Sequence, residues 1–494
     1  MKKLFSLLLC VIMVFSLFAC SSSDAPTTGA TGEAPTQATD PSIPTPEINS
    51  DFLAGFGSAD ITPDWSVPLL GYGTSTDRMS DGVLSHLYSH CLAVRDKDGN
   101  TALLITVDSA AISHSASIAS KIAQKTGVPV TNIMIGTAHQ HSTPDYSADS
   151  KYKTLMDNGI IASAESAIAD LAPAEIYGTT TETKYLTFVR NYFLTNGQPY
   201  GDNMGSIPAG EKVDRHESEA DNTLQLLKFV RGSDKKDIVV ANFQGHPKIG
   251  STIETVYGRE RRNKVHADTI GVFRDELTAM LDCNVMYFSG AGGNLNFASR
   301  IVKENRFTTM ETHGKKLAEY AYKAEDTYVK LETGKVQGLS ATKTYGTDKS
   351  QEHLYDRAVE FMKIWNKSGQ AAAEAALKDF PEFHSVYHGK YVTIKHDLAA
   401  TRNLNVYAIS FGDVGFAGAP VEMFDENGEQ IKTNSPFKMT FVTSLTNGTD
   451  GYVPSQRGFD NGGYSTDITR YAPGTGEQLA SDLVSLLTQM KNAQ

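Results

Sequence analysis

The sequence predicts one large mixed α/β domain over residues 53–494, and three observations carry that expectation. Helical and strand patterns alternate along the chain from Phe52 onward. The strand-like runs are short and almost wholly apolar, as in a sheet covered on both faces. A content of 40% hydrophobic and 21% charged residues over 494 positions is that of a globular protein, and excludes disorder for most of the chain.

Taken in order, "ALLITVD" and "NIMIGT" read as buried strands flanking a helix over Ser115 to Lys125, and a second helix follows over Leu155 to Leu171. "DIVVANF" and "NVMYFSG" read as strands around a helix over Ala267 to Leu281, with another helix over Thr312 to Tyr328. A helix over Tyr355 to Trp365, the strands "VYAISF", "VGFAGAP" and "MTFVTSL", and a closing helix over Glu477 to Met490 complete the reading. No fixed-period repeat is visible. Residues 336–400 are the least readable stretch, the Ala-rich piece "GQAAAEAALKDF" within them reads as a candidate surface insertion, and the one candidate for a lobe division lies near residue 335.

The first fifty residues stand apart. Lys2 and Lys3 precede an apolar stretch from Leu4 to Ala19, the pattern of a secretory signal peptide over residues 1–19. The apolar run is shorter than the roughly 20 residues a membrane span needs. "LFAC" resembles the lipobox of bacterial lipoproteins, which makes Cys20 the expected lipidated first residue of an extracytoplasmic, membrane-anchored chain. Residues 20–52 are rich in Ser, Thr and Pro and read as a disordered tether. Removing Lys2 and Lys3 with the leader takes the net charge from −12 to −14, which excludes nucleic acid as an expected partner. Of four cysteines, only Cys91 and Cys283 remain for a disulfide, and no cysteine-based zinc motif exists.

The stretch "GTAHQHSTPD" follows an apolar run and places His139 and His141 two apart. In an extended strand such residues share a face, so one cavity can receive both imidazoles. Imidazole is a common zinc ligand, but a catalytic zinc takes three or four protein ligands from distant segments. Two readings therefore stand for the pair alone: metal ligands or satisfied structural histidines. His246, after "DIVVANF", and Glu422, after "VGFAGAP", share the same placement just past an apolar run, where α/β folds collect their sites. The loop after "NVMYFSG" contains Gly290, Gly292 and Gly293, and is read as a place where backbone approaches a ligand closely. It lacks the lysine of a P-loop and the spacing of a dinucleotide fingerprint. Neither H-E-x-x-H nor G-x-S-x-G occurs.

These pieces, in their order, resemble the neutral/alkaline non-lysosomal ceramidases, zinc-dependent amidases of the N-acyl bond of ceramide. The likeness is carried by "AGFGSADITPDWSVPLLGYG", "LLITVDSA", "GTAHQHSTPD", "FVRNYFLTN", "ANFQGHP", "FSGAGGNLN", "GAPVE" and "NGTDGYVPSQRGFDNGGY". It implies a single Zn2+ held by His139, His246, Glu422 and Tyr452, with His141, Arg190 and Tyr464 around the scissile amide. It also implies metal-assisted hydrolysis, in which zinc lowers the pKa of its bound water from 15.7 toward about 7. His141 is then expected to move a proton to the leaving amine, with Arg190 or Tyr464 stabilising the oxyanion. Asp108 is read either as a partner orienting a ligand imidazole or as a turn aspartate.

Two departures bear on the substrate. Asn296 stands where the family has a serine, so only attack by zinc-activated water is expected. The family's additional C-terminal immunoglobulin-like domain is not expected after the closing helix. The expected substrate is ceramide or a related N-acylated lipid or amino sugar; the alternative is a non-catalytic surface lipoprotein that binds a lipid or glycan with the same fold. His86 and His90 are read as a second metal pair only on a helix, and His266 with Asp268 as cleft-lining or helix-starting residues.

Overall fold

Side chains two apart along a strand face the same side, and here that alternation divides the core. Leu103, Ile105 and Val107 of the strand Thr101–Val107 pack on the helices Ser115–Thr126 and Ser150–Ala169, while Ala102 and Leu104 face a second sheet. The architecture is a four-layer arrangement of helices, sheet, sheet and helices. The computed structural model describes residues 50–71, 78–202, 204, 207–232, 234–252, 262–299, 307 and 309–494. The leader, Cys20 and the tether up to residue 49 lie outside them.

The first sheet runs in the order 284–289, 238–243, 223–231, 172–182, 53–60, 88–95, 101–107 and 133–137, and residues 329–331 also pair with 172–182. Its outer pairs, 238–243 with 284–289 and 101–107 with 133–137, are parallel; the pairs between them are antiparallel. The two ends come together, since Thr106 Oγ1 donates to the carbonyl of Tyr287 at 2.7 Å. Two parallel strand ends from distant parts of the chain are thereby placed side by side, and His139 and His246 follow them.

The second sheet, in the order 336–346, 401–411, 414–418 and 439–443, begins inside the stretch that is least readable in the sequence. Its outer face carries Val406 and Ala408 against Leu479, Leu483, Leu486 and Leu487 of the closing helix Thr475–Asn492. The remainder of that region is a helical hairpin, Tyr355–Ala376 and Val386–His396, with an apolar cluster of its own. The helix read over Thr312 to Tyr328 is Met310–Lys323, and residues Val329–Leu331 leave it to join the first sheet. Pro46–Gln494 form one compact unit. No described helix is long and apolar enough to cross a membrane.

Between the sheets, Phe416 stacks on Phe441 at 4.7 Å between centroids and meets Phe288 edge-on at 5.9 Å. Phe416 is fully buried. Phe416→Ala should therefore cost about 3–5 kcal/mol, read as a lower denaturant midpoint with an unaltered slope.

Candidate active site

The strand Ile133–Thr137 ends two residues before His139, which adopts a left-handed backbone at φ 64°. The expected strand alternation thus does not apply to the H-x-H pair: the turn at His139, a conformation non-glycine residues rarely adopt, brings the imidazoles of His139 and His141 together, centroids 5.0 Å apart. Gln140 between them donates its amide to Asp108 Oδ1 at 2.6 Å. Asp108 is fully buried, accepts two hydrogen bonds from Arg274, at 2.8 and 2.5 Å, and a third from the backbone of Tyr88. It holds the loop between the histidines and bonds to no ligand imidazole.

His246 stands three residues past the strand Ile238–Phe243, Glu422 four past Val414–Gly418, and Tyr452 pairs beside Glu422 in a short parallel bridge. Glu422 Oε2 lies 3.0 Å from His246 Nε2 and 3.3 Å from His139 Nε2, and the Tyr452 hydroxyl is 3.4 Å from His246 Nε2. His139, His246, Glu422 and Tyr452 are therefore brought together. The ligand atoms of His139, His141 and His246 all lie within 4.8 Å of one another, a group able to hold a metal ion.

The protons decide what this centre needs. His139 Nδ1 donates to the carbonyl of Ala110 at 2.6 Å and His246 Nδ1 to that of Leu295 at 2.7 Å. A neutral imidazole has one N–H, so His246, which spends its own on Leu295, presents an Nε2 lone pair toward the Glu422 carboxylate. Burial, reinforced by the charge of Arg190, pushes His246 down to about 3, which keeps it neutral. His139 Nε2 is buried with no aligned hydrogen-bond partner. Neutral nitrogens facing a carboxylate repel unless a cation lies among them, and backbone carbonyls that fix the tautomer are the usual outer partners of metal-binding histidines. The residues fit a divalent cation.

His141 lies 5.7 Å from His246 between centroids, and burial with its two imidazole neighbours pushes it well below its ordinary value, leaving it neutral. Arg190 is buried; one terminal nitrogen donates to Gly293 O at 2.7 Å and Ser465 Oγ at 2.9 Å, and its guanidinium carbon stands 5.1 Å from the Tyr452 ring and 5.8 Å from the Tyr464 ring. Tyr452 and Tyr464 meet edge-on at 6.2 Å. Burial raises both phenols, that of Tyr452 well above its ordinary range, with Arg190 acting against it. All seven residues singled out in the sequence thus sit in one neighbourhood.

The glycines of "GAGGN" let backbone segments approach one another closely. A Cβ on Gly292 would lie 2.4 Å from the nitrogen of Gly245, and one on Gly293 would lie 2.5 Å from the carbonyl oxygen of Glu422. They let the loops carrying His246 and Glu422 close on each other. Gly293→Ala should push Glu422 away and weaken metal affinity by about 10–100-fold, measurable by competition with a chromogenic chelator. Gly71, at φ 118°, packs in the same way against the backbone of His141.

Asn296 pairs in a parallel bridge with His246 and donates its side-chain amide to Asp202 at 2.7 Å, so it braces the strand holding His246. His86 pairs with Asp60 and His90 stacks between Phe56 and Tyr88. They flank or lie in the strand Tyr88–Arg95, so the helical spacing needed for a metal pair is absent. Asp268 opens the helix Asp268–Leu281 and accepts from the backbone of Ile249 and Gly250. Ala110 O, Leu295 O, Gln140, Arg274 and Ser465 were not singled out in the sequence. Carbonyl partners leave no side-chain signature; for Gln140, its place inside the H-x-H was the one available signal.

A buried centre of histidines and a carboxylate, set where strand ends of a helix-flanked double sheet converge, defines a ceramidase-like hydrolase with residues able to bind a metal. Residues 52–248 match the family described as neutral/alkaline non-lysosomal ceramidase, N-terminal. Its fold is similar to that of the neutral ceramidase from Pseudomonas aeruginosa: TM-score 0.67 at 15% identity, over 90% of this chain and 75% of that one. A structure of ceramidase complexed with C2 gives 0.65 at 14% identity, over 90% and 76%. At these identities the structural likeness speaks for the fold. No curated protein sequence matches the chain.

Proposed function

We propose that the chain is a zinc-dependent amidase that hydrolyses the N-acyl bond of ceramide or a related N-acylated lipid or amino sugar. The observation that carries this reading is the convergence of His139 Nε2 and His246 Nε2 on the Glu422 carboxylate, with both Nδ1 atoms turned to backbone carbonyls and Tyr452 as the fourth donor. When bound, the zinc ion supplies Lewis acidity for an amide carbonyl and acidifies water. His141, neutral and beside the centre, takes a proton from the attacking water and returns it to the leaving amine. Tyr464 offers an O–H, and Arg190 a fixed positive charge, to the carbonyl oxygen as it gains charge. Asn296 is committed to Asp202, which supports attack by water without a nucleophilic side chain at that position.

Release of amine from a panel of N-acyl substrates tests this reading. His141→Ala and Tyr464→Phe should each lower turnover by about 10²-fold or more. Equal, background-level release from the native protein and both variants would reject amidase activity and leave a lipid- or glycan-binding protein. The same reading places the enzyme outside the cytoplasm, anchored through Cys20; Cys20→Ala should move it from the membrane to the soluble fraction.

A further inference from the structure

The helical hairpin meets the rest of the chain at the five-residue helix Tyr464–Ile468. Tyr464 and Ser465 of that helix serve the centre: Ser465 Oγ accepts from Arg190, and the Tyr464 ring meets that of Tyr452. Thr466 and Asp467 serve the hairpin instead. Lys395 Nζ donates to Thr466 O at 3.2 Å, and His384 Nε2 lies 2.7 Å from Asp467 Oδ2. Tyr387 of the hairpin packs edge-on against Tyr464 at 5.5 Å. Where the hairpin docks therefore fixes where Tyr464 stands.

A proton count shows how the docking is held. His384 Nδ1 and His388 Nδ1 are 3.0 Å apart, and His388 Nε2 is 2.9 Å from Gln351 Oε1. The outer partners, a carboxylate oxygen and an amide oxygen, only accept, so both Nε2 atoms carry protons. The inner contact needs one more. Two rings thus hold three protons and one positive charge, next to the buried carboxylate of Asp467. A tetrahedral zinc ion between the two Nδ1 atoms would hold them roughly 3.4 Å apart; the spacing here is that of a hydrogen bond.

We propose that this shared proton is a catch that docks the hairpin on the helix Tyr464–Ile468, and that His384, His388 and Asp467 are positioning residues for Tyr464. The other charged and titratable groups around the catch are already engaged. Lys395 pairs with Asp348 at 2.7 Å, and Lys349 donates to the carbonyls of Lys395, His396 and Leu398. His396 faces Glu352, and Arg357 holds Glu360 and Glu382. The rings of Tyr387 and Tyr464 meet edge to face.

Burial lowers His384, but Asp467 outweighs it and leaves the group above its ordinary value; burial and the charges of His384 and Lys395 push His388 down to about 4. The sign follows by linkage. A raised histidine stabilises the docked state fully below its ordinary pKa of about 6.5, and that contribution is lost as pH rises through the raised value. A lowered histidine stabilises above its ordinary value and fails as pH falls toward 4. The catch holds between these limits.

The test is hydrogen exchange of the full-length protein, read by mass spectrometry over Val386–His396 and Tyr464–Ile468 at about pH 6 and about pH 9 and corrected for intrinsic rates. The His384 side chain is 42% exposed, so its replacements leave the core intact. Native protein should exchange at least about threefold faster in both segments at the higher pH. His384→Gln should be fast at both pH values, and His384→Lys, which keeps a cation throughout, slow at both. Native protection that is the same at both pH values, a pH response that persists in both variants, or protection removed by a chelator at either pH would overturn the proposal. The consequence for Tyr464 rests on the proposed amidase activity, and appears as a fall in kcat over the same pH range with KM little changed. If exchange follows the prediction while no N-acyl substrate turns over, the catch stands and the amidase reading falls.

Discussion

His246→Ala should empty the metal centre and lower turnover by about 10³-fold or more, the loss expected when several kcal/mol of Lewis-acid stabilisation go at once. Zinc content of the purified variant should fall below about a tenth of an equivalent, because a three-donor remainder loses the imidazole that Glu422 approaches most closely, at 3.0 Å. The side chain also donates to Leu295 O, so a stability loss of about 1–3 kcal/mol accompanies it. His246→Gln separates the two effects: it restores much of the volume without the ring geometry, and should recover stability more than activity. Zinc bound at one equivalent in His246→Ala would contradict this assignment.

Asp108→Ala should be the most destabilising substitution near the site. It removes the carboxylate that pairs directly with the buried Arg274 guanidinium, at a cost of about 3–5 kcal/mol. The urea midpoint reports that cost. Asp108 also anchors Gln140, between His139 and His141, so metal affinity should fall by about 10–100-fold as well. Asp108→Asn keeps the packing and two acceptor positions on one oxygen, and should fall between native protein and Asp108→Ala in both measurements.

How much of this was legible in the sequence depended on whether packing used large apolar side chains. Thr101–Val107, Ile133–Thr137, Ile238–Phe243 and Asn284–Ser289 were read from their apolar runs because each is covered on both faces. Leu53–Asp60 was missed as a strand because a helix lies directly on its glycines: a Cβ on Gly55 would stand 2.1 Å from Ala167 O. Ala172–Glu182, half polar, carries no apolar run either, although it pairs with three other strands. Tyr88–Arg95 carries the i,i+4 spacing of His86 and His90 rather than a strand signal, yet it is a strand buried along most of its length between Leu53–Asp60 and Thr101–Val107.

The site was legible in its side chains and not in its backbone. His139, His141, Arg190, His246, Glu422, Tyr452 and Tyr464 could be named from ordered motifs, and the fold brings them together. The left-handed turn at His139 and the carbonyls of Ala110 and Leu295 that set the tautomers depend on chain path, which no local pattern encodes. The packing role of the glycine loop is not legible for the same reason: its close neighbours are Gly245 and Glu422, more than thirty residues away in sequence.

The central claim is that His139, His246, Glu422 and Tyr452 hold one zinc ion. Crystals of the full-length protein, measured on both sides of the zinc absorption edge, test it directly. One anomalous peak within about 2.0–2.2 Å of both Nε2 atoms and a Glu422 oxygen is the predicted result. A fully ordered site with no peak, and with Glu422 hydrogen-bonded to protonated histidines, would contradict it.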